Sequence, residues 1–242
     1  MIYSFKDCNF IDFKEFEGCS LCKGKGYIYE DIQGVPYAKK CKCLTIWQEL
    51  KRTVRELHNS NAPKEFWNYH ITKDYRPNPK ITLKDIYTYL DKKELVFKEG
   101  MNLWFYGDSQ TQKTSVAIFI LKYFIYSRYT AYYISYENLV RHLEKIRFNK
   151  DGDSTLLSTC DLLVIDNVPA NIPENSSSNL LAGFLINRIE HNKPNIYINM
   201  GSLSTFLCPT FLLIIFKKRI KEIHFEFSVN YNSKKISEFY NE

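Results

Sequence analysis

From residue 100 onward the sequence is divided by five short β-rich runs: Asn102–Tyr106, Ala131–Ser135, Asp161–Ile165, Asn195–Asn199 and Ile223–Phe227. Every gap between them is long enough for a helix. Few folds satisfy that alternation, because parallel neighbours need a crossover of a dozen residues or more, crossovers are right-handed, and the resulting sheet is covered on both faces. The reading is a five-stranded parallel α/β domain over residues 100–242, with ligands at the carboxyl ends of its strands.

Two stretches precede that domain, a cysteine-rich head over residues 1–45 and a helical connector over 46–99. In the connector, Ile46, Leu50, Val54 and Leu57 fall at helical spacing before the turn signal Asn59-Ser60-Asn61-Ala62-Pro63, and Pro77 and Pro79 mark a second break. The 242 residues accommodate one ordinary domain and a small module, and a 45% hydrophobic, 16% aromatic composition excludes a disordered chain. Ser115–Ile125 and Phe211–Phe216 are shorter than the roughly 20 apolar residues of a membrane span. Met1–Asp7 lacks a basic segment followed by an apolar one, so the expected location is cytoplasmic. The net charge of +6 suits a phosphate-bearing partner without specifying one.

The first β-rich run leads directly into Gly107-Asp108-Ser109-Gln110-Thr111-Gln112-Lys113-Thr114, and a helical apolar stretch follows. Strand, loop and helix stand in the order that a phosphate-binding loop requires. In such a loop backbone N–H groups and a helix N-terminus cradle phosphates, the lysine reaches the β/γ-phosphates, and the hydroxyl after it binds magnesium. Lys113 and Thr114 fill those roles, which makes ATP or ADP with Mg²⁺ the expected ligand. The alternative is a lysine–threonine pair that merely opens a helix. Gln112 departs from the motif, standing where its second glycine belongs. If that position needs glycine-like dihedrals, glutamine costs about 1 kcal/mol and crowds the nucleotide. The third run ends in Asp166-Asn167, and Asp166 is expected to face the loop and hold Mg²⁺.

Five of the seven cysteines lie in the first 43 residues. Cys19 and Cys22, followed by Gly24 and Gly26, and then Cys41 and Cys43 give four thiolates in two close pairs, the donor set of a tetrahedral zinc site. Cys8 is an alternative ligand, and reduced cysteines in a loop are the alternative to a metal. Cys160 and Cys208 are read as core residues.

Gly100–Thr114 fits the pattern G-x-N-L-x-x-x-G…K-T, Ala62-Pro63-Lys64-Glu65-Phe66 supplies a Pro-x-x-aromatic element, and Leu185–Asn199 runs from an arginine-bearing helix through Lys193-Pro194 into a strand. In these residues the chain resembles helicase loaders of the DnaC/DnaI type, AAA+ ATPases of the DnaC/IstB group. The resemblance implies an AAA+ fold without a C-terminal lid, assembly into a homo-oligomer on ATP, and a DnaB-type replicative helicase and single-stranded DNA as partners. It places Asn167 in the slot of the acidic residue that activates water, where an amide cannot accept a proton, so slow or absent hydrolysis is expected. It leaves the sensor-1 position to Asn199 or Met200. Lys217-Lys218-Arg219-Ile220 resembles the Ser-Arg box, which makes Arg219 the trans-acting arginine finger, with an exposed basic helix face as the alternative. The cysteine head resembles the N-terminal zinc module of DnaI-like and phage loaders, which docks on the helicase. Two rivals remain: an IstB-type transposition ATPase acting on duplex DNA, and a binding protein that kept the fold, lost ATP and sequesters a helicase.

Tyr126, Tyr129, Tyr132, Tyr133 and Tyr136, with Arg128 and Arg141, are read as strand-core and helix-surface residues, with stacking on single-stranded DNA as the alternative. His142 and His191 are read as structural, and Asn175–Asn179 as a polar loop.

Overall fold

A computed structural model describes residues 19–23, 25–69, 71, 79–148 and 155–225 of the chain. Cys8, the last two residues of the expected fifth strand and everything after them lie outside the described residues.

The head is a two-stranded antiparallel hairpin, β1 (Tyr27–Ile32) and β2 (Val35–Lys40), closed by Gln33 and Gly34. Both turn residues have positive φ (57° and 80°), the conformation that a right-twisted two-residue hairpin loop demands. Helix α1 (Lys42–Asn59) follows at once. Its far half is anchored on the main domain, where Arg52 donates to the carbonyls of Ile125 and Tyr126 at 3.0–3.1 Å. After a short 3₁₀ turn (Lys64–Phe66) come α2 (Pro79–Asp91) and α3 (Lys93–Glu99), the latter ended by Gly100 in the left-handed conformation (φ 61°).

The remainder is β3 (Asn102–Gly107), α4 (Lys113–Tyr126), β4 (Ala131–Ser135), α5 (Tyr136–Phe148), α6 (Thr155–Thr159), β5 (Leu162–Asp166), α7 (Ser176–Glu190), β6 (Asn195–Ile198), α8 (Thr210–Lys217) and β7 (Ile220–Phe225). The five later strands form one sheet in the order β4-β5-β6-β3-β7, and every pairing is parallel. The expected five-stranded parallel sheet with helices on both faces is what forms.

Strand alternation divides the core. Leu103, Phe105, Val164, Ile196 and Phe225 face a cluster built from α4 with Leu57, Ile86, Leu90 and Val96 of the preceding helices. Trp104, Leu163, Ile165 and Tyr197 face the other way, onto residues of α5 to α8 such as Leu143, Leu185 and Phe216. Helix α4 is apolar nearly all round because the sheet covers one side and the earlier helices the other. The stretch read as a connector therefore shares a continuous core with the sheet.

Two elements differ from expectation. The fifth strand runs from Ile220 to Phe225, three residues earlier than the apolar run indicated. It is an edge strand whose Lys221, Glu222 and His224 are exposed, and edges carry charge because it discourages further pairing. The polar stretch at Asn175 is the start of α7, not a loop. Asn175 accepts from the Ser178 N–H at 2.9 Å while the Ser178 hydroxyl accepts from the Asn175 N–H at 3.0 Å, a capping box. Among the described residues no helix is long and apolar enough to cross a membrane.

Candidate functional site

The loop after β3 and the end of β5 meet at the carboxyl edge of the sheet. Gly107 closes β3 at φ 134°, and a Cβ there would sit 2.0 Å from the Phe225 carbonyl oxygen of β7, so only glycine lets the chain turn away at this point. Thr111 holds the turn by donating to the Asp108 carbonyl at 2.8 Å. Gln112 caps α4 with φ 63° and ψ 21°, in the left-handed region where glycine is favoured. Gln110 shares that conformation. The loop thus keeps a backbone of glycine type with glutamines in place.

Lys113 and Thr114, the first residues of α4, turn to different partners. The Lys113 ammonium donates to the Gly107 carbonyl at 2.7 Å, to the Asp108 carbonyl, and to the Thr111 hydroxyl at 3.2 Å. Burial lowers its pKa, while the charges of Asp166 and Asp108 oppose that shift. Thr114 donates to Oδ2 of Asp166 at 2.9 Å, and the Asn167 N–H donates to Oδ1 at 2.7 Å. Asp166 is buried, whereas Asn167 is exposed with φ 55°.

These groups line a cavity of about 560 Å³, bounded by Ser109 to Ser115, Asp166 to Ala170, Asn199 and Met200. Phe66, the aromatic residue of the Pro-x-x-aromatic element, reaches the same cavity. An ammonium, a hydroxyl and a carboxylate at a helix N-terminus form a donor set that fits a magnesium nucleotide. At the sensor-1 position both candidates line the wall, but Asn199 is buried and its side chain is engaged. It donates to the carbonyls of Val168 and Pro169 at 3.0 and 3.1 Å and accepts from the Gly201 N–H at 2.6 Å. Met200 is exposed and has no donor to offer.

Arg219 lies elsewhere. It precedes β7 at the amino end of the sheet, where its carbonyl accepts from the Asn102 N–H at 2.8 Å. A six-residue strand separates it from the loop by roughly 17 Å, so it cannot reach the cavity of its own chain. Its guanidinium donates to the Glu99 carbonyl at 2.8 Å and to the Asn192 side chain.

The four cysteines of the head converge. Cys19 and Cys41 sulfurs are 3.7 Å apart, those of Cys22 and Cys43 3.3 Å, and all four lie within 4.8 Å of one another. Tetrahedral zinc with thiolates at about 2.3 Å sets sulfurs about 3.8 Å apart, so the cluster fits zinc. Backbone N–H groups of Cys22 and Leu21 hold the Cys19 thiol down to about 6, and the Gly26 N–H donates to the Cys22 sulfur at 3.3 Å. Cys43 is pushed up by its hydrogen bond to Cys22. Among the described residues the hairpin carries no apolar core, since its Tyr29, Ile32, Val35 and Tyr37 are all exposed.

The motifs missed Tyr133. Its hydroxyl donates to Oδ2 of Asp166 at 2.7 Å, and only the register of β4 beside β5 could have revealed that. Three others of the tyrosine–arginine group are engaged within the chain. Tyr129 stacks on Phe97 with centroids 3.9 Å apart, Arg128 pairs with Glu49, and Arg141 pairs with Glu137.

No protein-family model matches the sequence, and a search of curated proteins finds no match. Solved structures do match. The DnaC helicase loader superposes with a TM-score of 0.57 at 18% identity, over 68% of this chain and 100% of that one. DnaI gives 0.55 at 11%, over 69% and 92%, and AMPPCP-bound DnaA from Aquifex aeolicus gives 0.58 at 12%, over 74% and 55%. At these identities the likeness is one of fold, a DnaC-type AAA+ fold.

Proposed function

We propose that this chain, built on the DnaC-type AAA+ fold, is a magnesium–nucleotide-binding helicase loader that acts in the cytoplasm on a DnaB-type replicative helicase and single-stranded DNA. One observation carries the reading: Lys113, Thr114 and Asp166 converge on one cavity at the carboxyl edge of the sheet. Lys113 would bind the β/γ-phosphates of ATP or ADP in place of the loop carbonyls it now holds, and Thr114 and Asp166 would hold Mg²⁺. Bound magnesium would neutralise phosphate charge. Asn167 and the engaged Asn199 supply no general base and no free amide, so turnover is slow and nucleotide serves as a state signal. On this reading Arg219 would leave its present partners, Glu99 and Asn192, to reach the nucleotide of a neighbouring copy, a role that only a homo-oligomer uses.

Zinc on Cys19, Cys22, Cys41 and Cys43 would hold the hairpin as the helicase-docking head. The same two asparagines favour one second reading, a nucleotide-free binder that sequesters a helicase. Calorimetry with Mg-ATP, on the wild type and on Lys113→Ala, separates them. Loss of binding in the variant supports the loader. An equal signal, or none in either protein, refutes the Lys113 site, and capture of a replicative helicase without nucleotide supports the second reading.

A further inference from the structure

The nucleotide reading depends on Asp166, and the side chain that fixes this carboxylate comes from a strand outside both nucleotide motifs. Tyr133 in β4 pairs with Val164 of β5, two positions before the Ser135–Asp166 pair, so Tyr133 and Asp166 share the face toward α4. Its hydroxyl donates to Oδ2 at 2.7 Å, and Thr114 donates to the same oxygen at 2.9 Å. A carboxylate oxygen offers about two lone-pair sites, so these two hydroxyls fill Oδ2. Oδ1 takes the Asn167 N–H.

The two hydroxyls are not equivalent. Thr114 is the side chain that the proposed site gives to magnesium, and a hydroxyl turned to a cation gives up its present alignment with Asp166. Tyr133 has no such second duty. Its ring packs against the core, its N–H donates to the Ser60 carbonyl at 2.8 Å, and its carbonyl accepts from the Asn61 side chain at 3.0 Å. The turn at residues 59–62 is thereby linked through one tyrosine to Asp166, which lines the cavity.

We propose that Tyr133 is a positioning residue for magnesium: it keeps the Asp166 carboxylate oriented when Thr114 turns away, and so sets the magnesium dependence of nucleotide binding. This rests on the nucleotide reading above.

The test is a magnesium titration of binding by a fluorescent ATP analogue, with a parallel measurement in EDTA, on wild type, Tyr133→Phe and Tyr132→Phe. Tyr132 is on the same strand but packs against the opposite core, which makes it the control for loss of a phenol. Tyr133→Phe should raise the magnesium concentration for half-maximal binding about tenfold, the effect of one hydrogen bond to a charged group. The bond is also present without magnesium, so the melting midpoint should fall modestly, while affinity in EDTA stays at the wild-type value and Tyr132→Phe keeps the wild-type magnesium dependence. A purely structural role would instead shift the affinities in magnesium and in EDTA together. Unchanged magnesium dependence in Tyr133→Phe overturns the inference and leaves the nucleotide reading standing. A wild type whose binding ignores magnesium overturns both. Should Tyr133→Phe fail to fold, Asn61→Gly keeps the positive φ of 57° and deletes the bond to the Tyr133 carbonyl. It should shift the magnesium requirement in the same direction by less, and no shift counts against the proposal.

Discussion

Gln112→Gly separates two effects that the loop combines. Gln112 sits at φ 63°, ψ 21°, a conformation that costs a residue with a Cβ roughly 1–2 kcal/mol and glycine almost nothing. Glycine also frees the unfolded chain, at about 0.5–1 kcal/mol. The difference leaves the glycine variant more stable by roughly 0.5 kcal/mol, about 1–2 °C in melting temperature for a chain of this size. Nucleotide affinity is a different quantity. Strain present both with and without nucleotide cancels from the binding equilibrium, so affinity rises only if the glutamine side chain, which lines the cavity, crowds the phosphates. A tenfold gain corresponds to about 1.4 kcal/mol of relieved crowding. Denaturation followed by tryptophan fluorescence, to which Trp104, fully buried in the core, contributes, reads the first quantity, and calorimetry with Mg-ATP reads the second. Destabilisation by more than about 1 kcal/mol would refute the strain argument. Tighter binding without a stability change would assign the whole effect to crowding.

Two further outcomes concern the rest of the molecule. Cys22→Ser should lose stoichiometric zinc by elemental analysis and leave the hairpin open to protease, while the main domain stays resistant to it, because both apolar clusters lie outside the head. Arg188 is fully buried and donates to Asn195 at 2.6 Å and to the carbonyls of Leu157, Cys160 and Pro194 at 3.0–3.1 Å. Arg188→Met strands those acceptors and should cost about 3 kcal/mol or more by chemical denaturation, with Arg188→Lys recovering only part because it lacks the planar fork.

The parallel sheet was legible because Asn102–Tyr106 and Ala131–Ser135 are β-rich and well separated, and the loop was legible because its lysine and threonine follow a strand directly. The cysteine cluster was equally plain, since paired spacing brings sulfurs together whatever the intervening hairpin does. The start of the fifth strand was missed because Lys221 and Glu222, ahead of the apolar run, are charged, and an apolar run is a poor guide at an edge. Asn175 concealed a helix start behind a polar composition that suits loops equally well. The Tyr133–Asp166 bond joins residues 33 apart through strand register, which no local pattern encodes. The same limit applies to Asn199, whose amide is engaged by the carbonyls of Val168 and Pro169, so that the choice between Asn199 and Met200 could not be read from the sequence.

The turn at residues 59–62 also bears on how the molecule avoids associating with itself while it folds. β4 is an outer strand of the sheet, and its Tyr133 peptide is taken on both sides, by the Ser60 carbonyl and the Asn61 amide. An incoming strand from another molecule therefore meets an occupied edge. Leu57 and Ala62, on either side of that turn, are buried against the sheet, so the cover is held in place by the core itself. During synthesis the covering segment emerges some seventy residues before the strand it protects, in time to meet β4 as it forms. A fragment beginning at residue 100 would emerge without it, with one edge bare and part of its core missing.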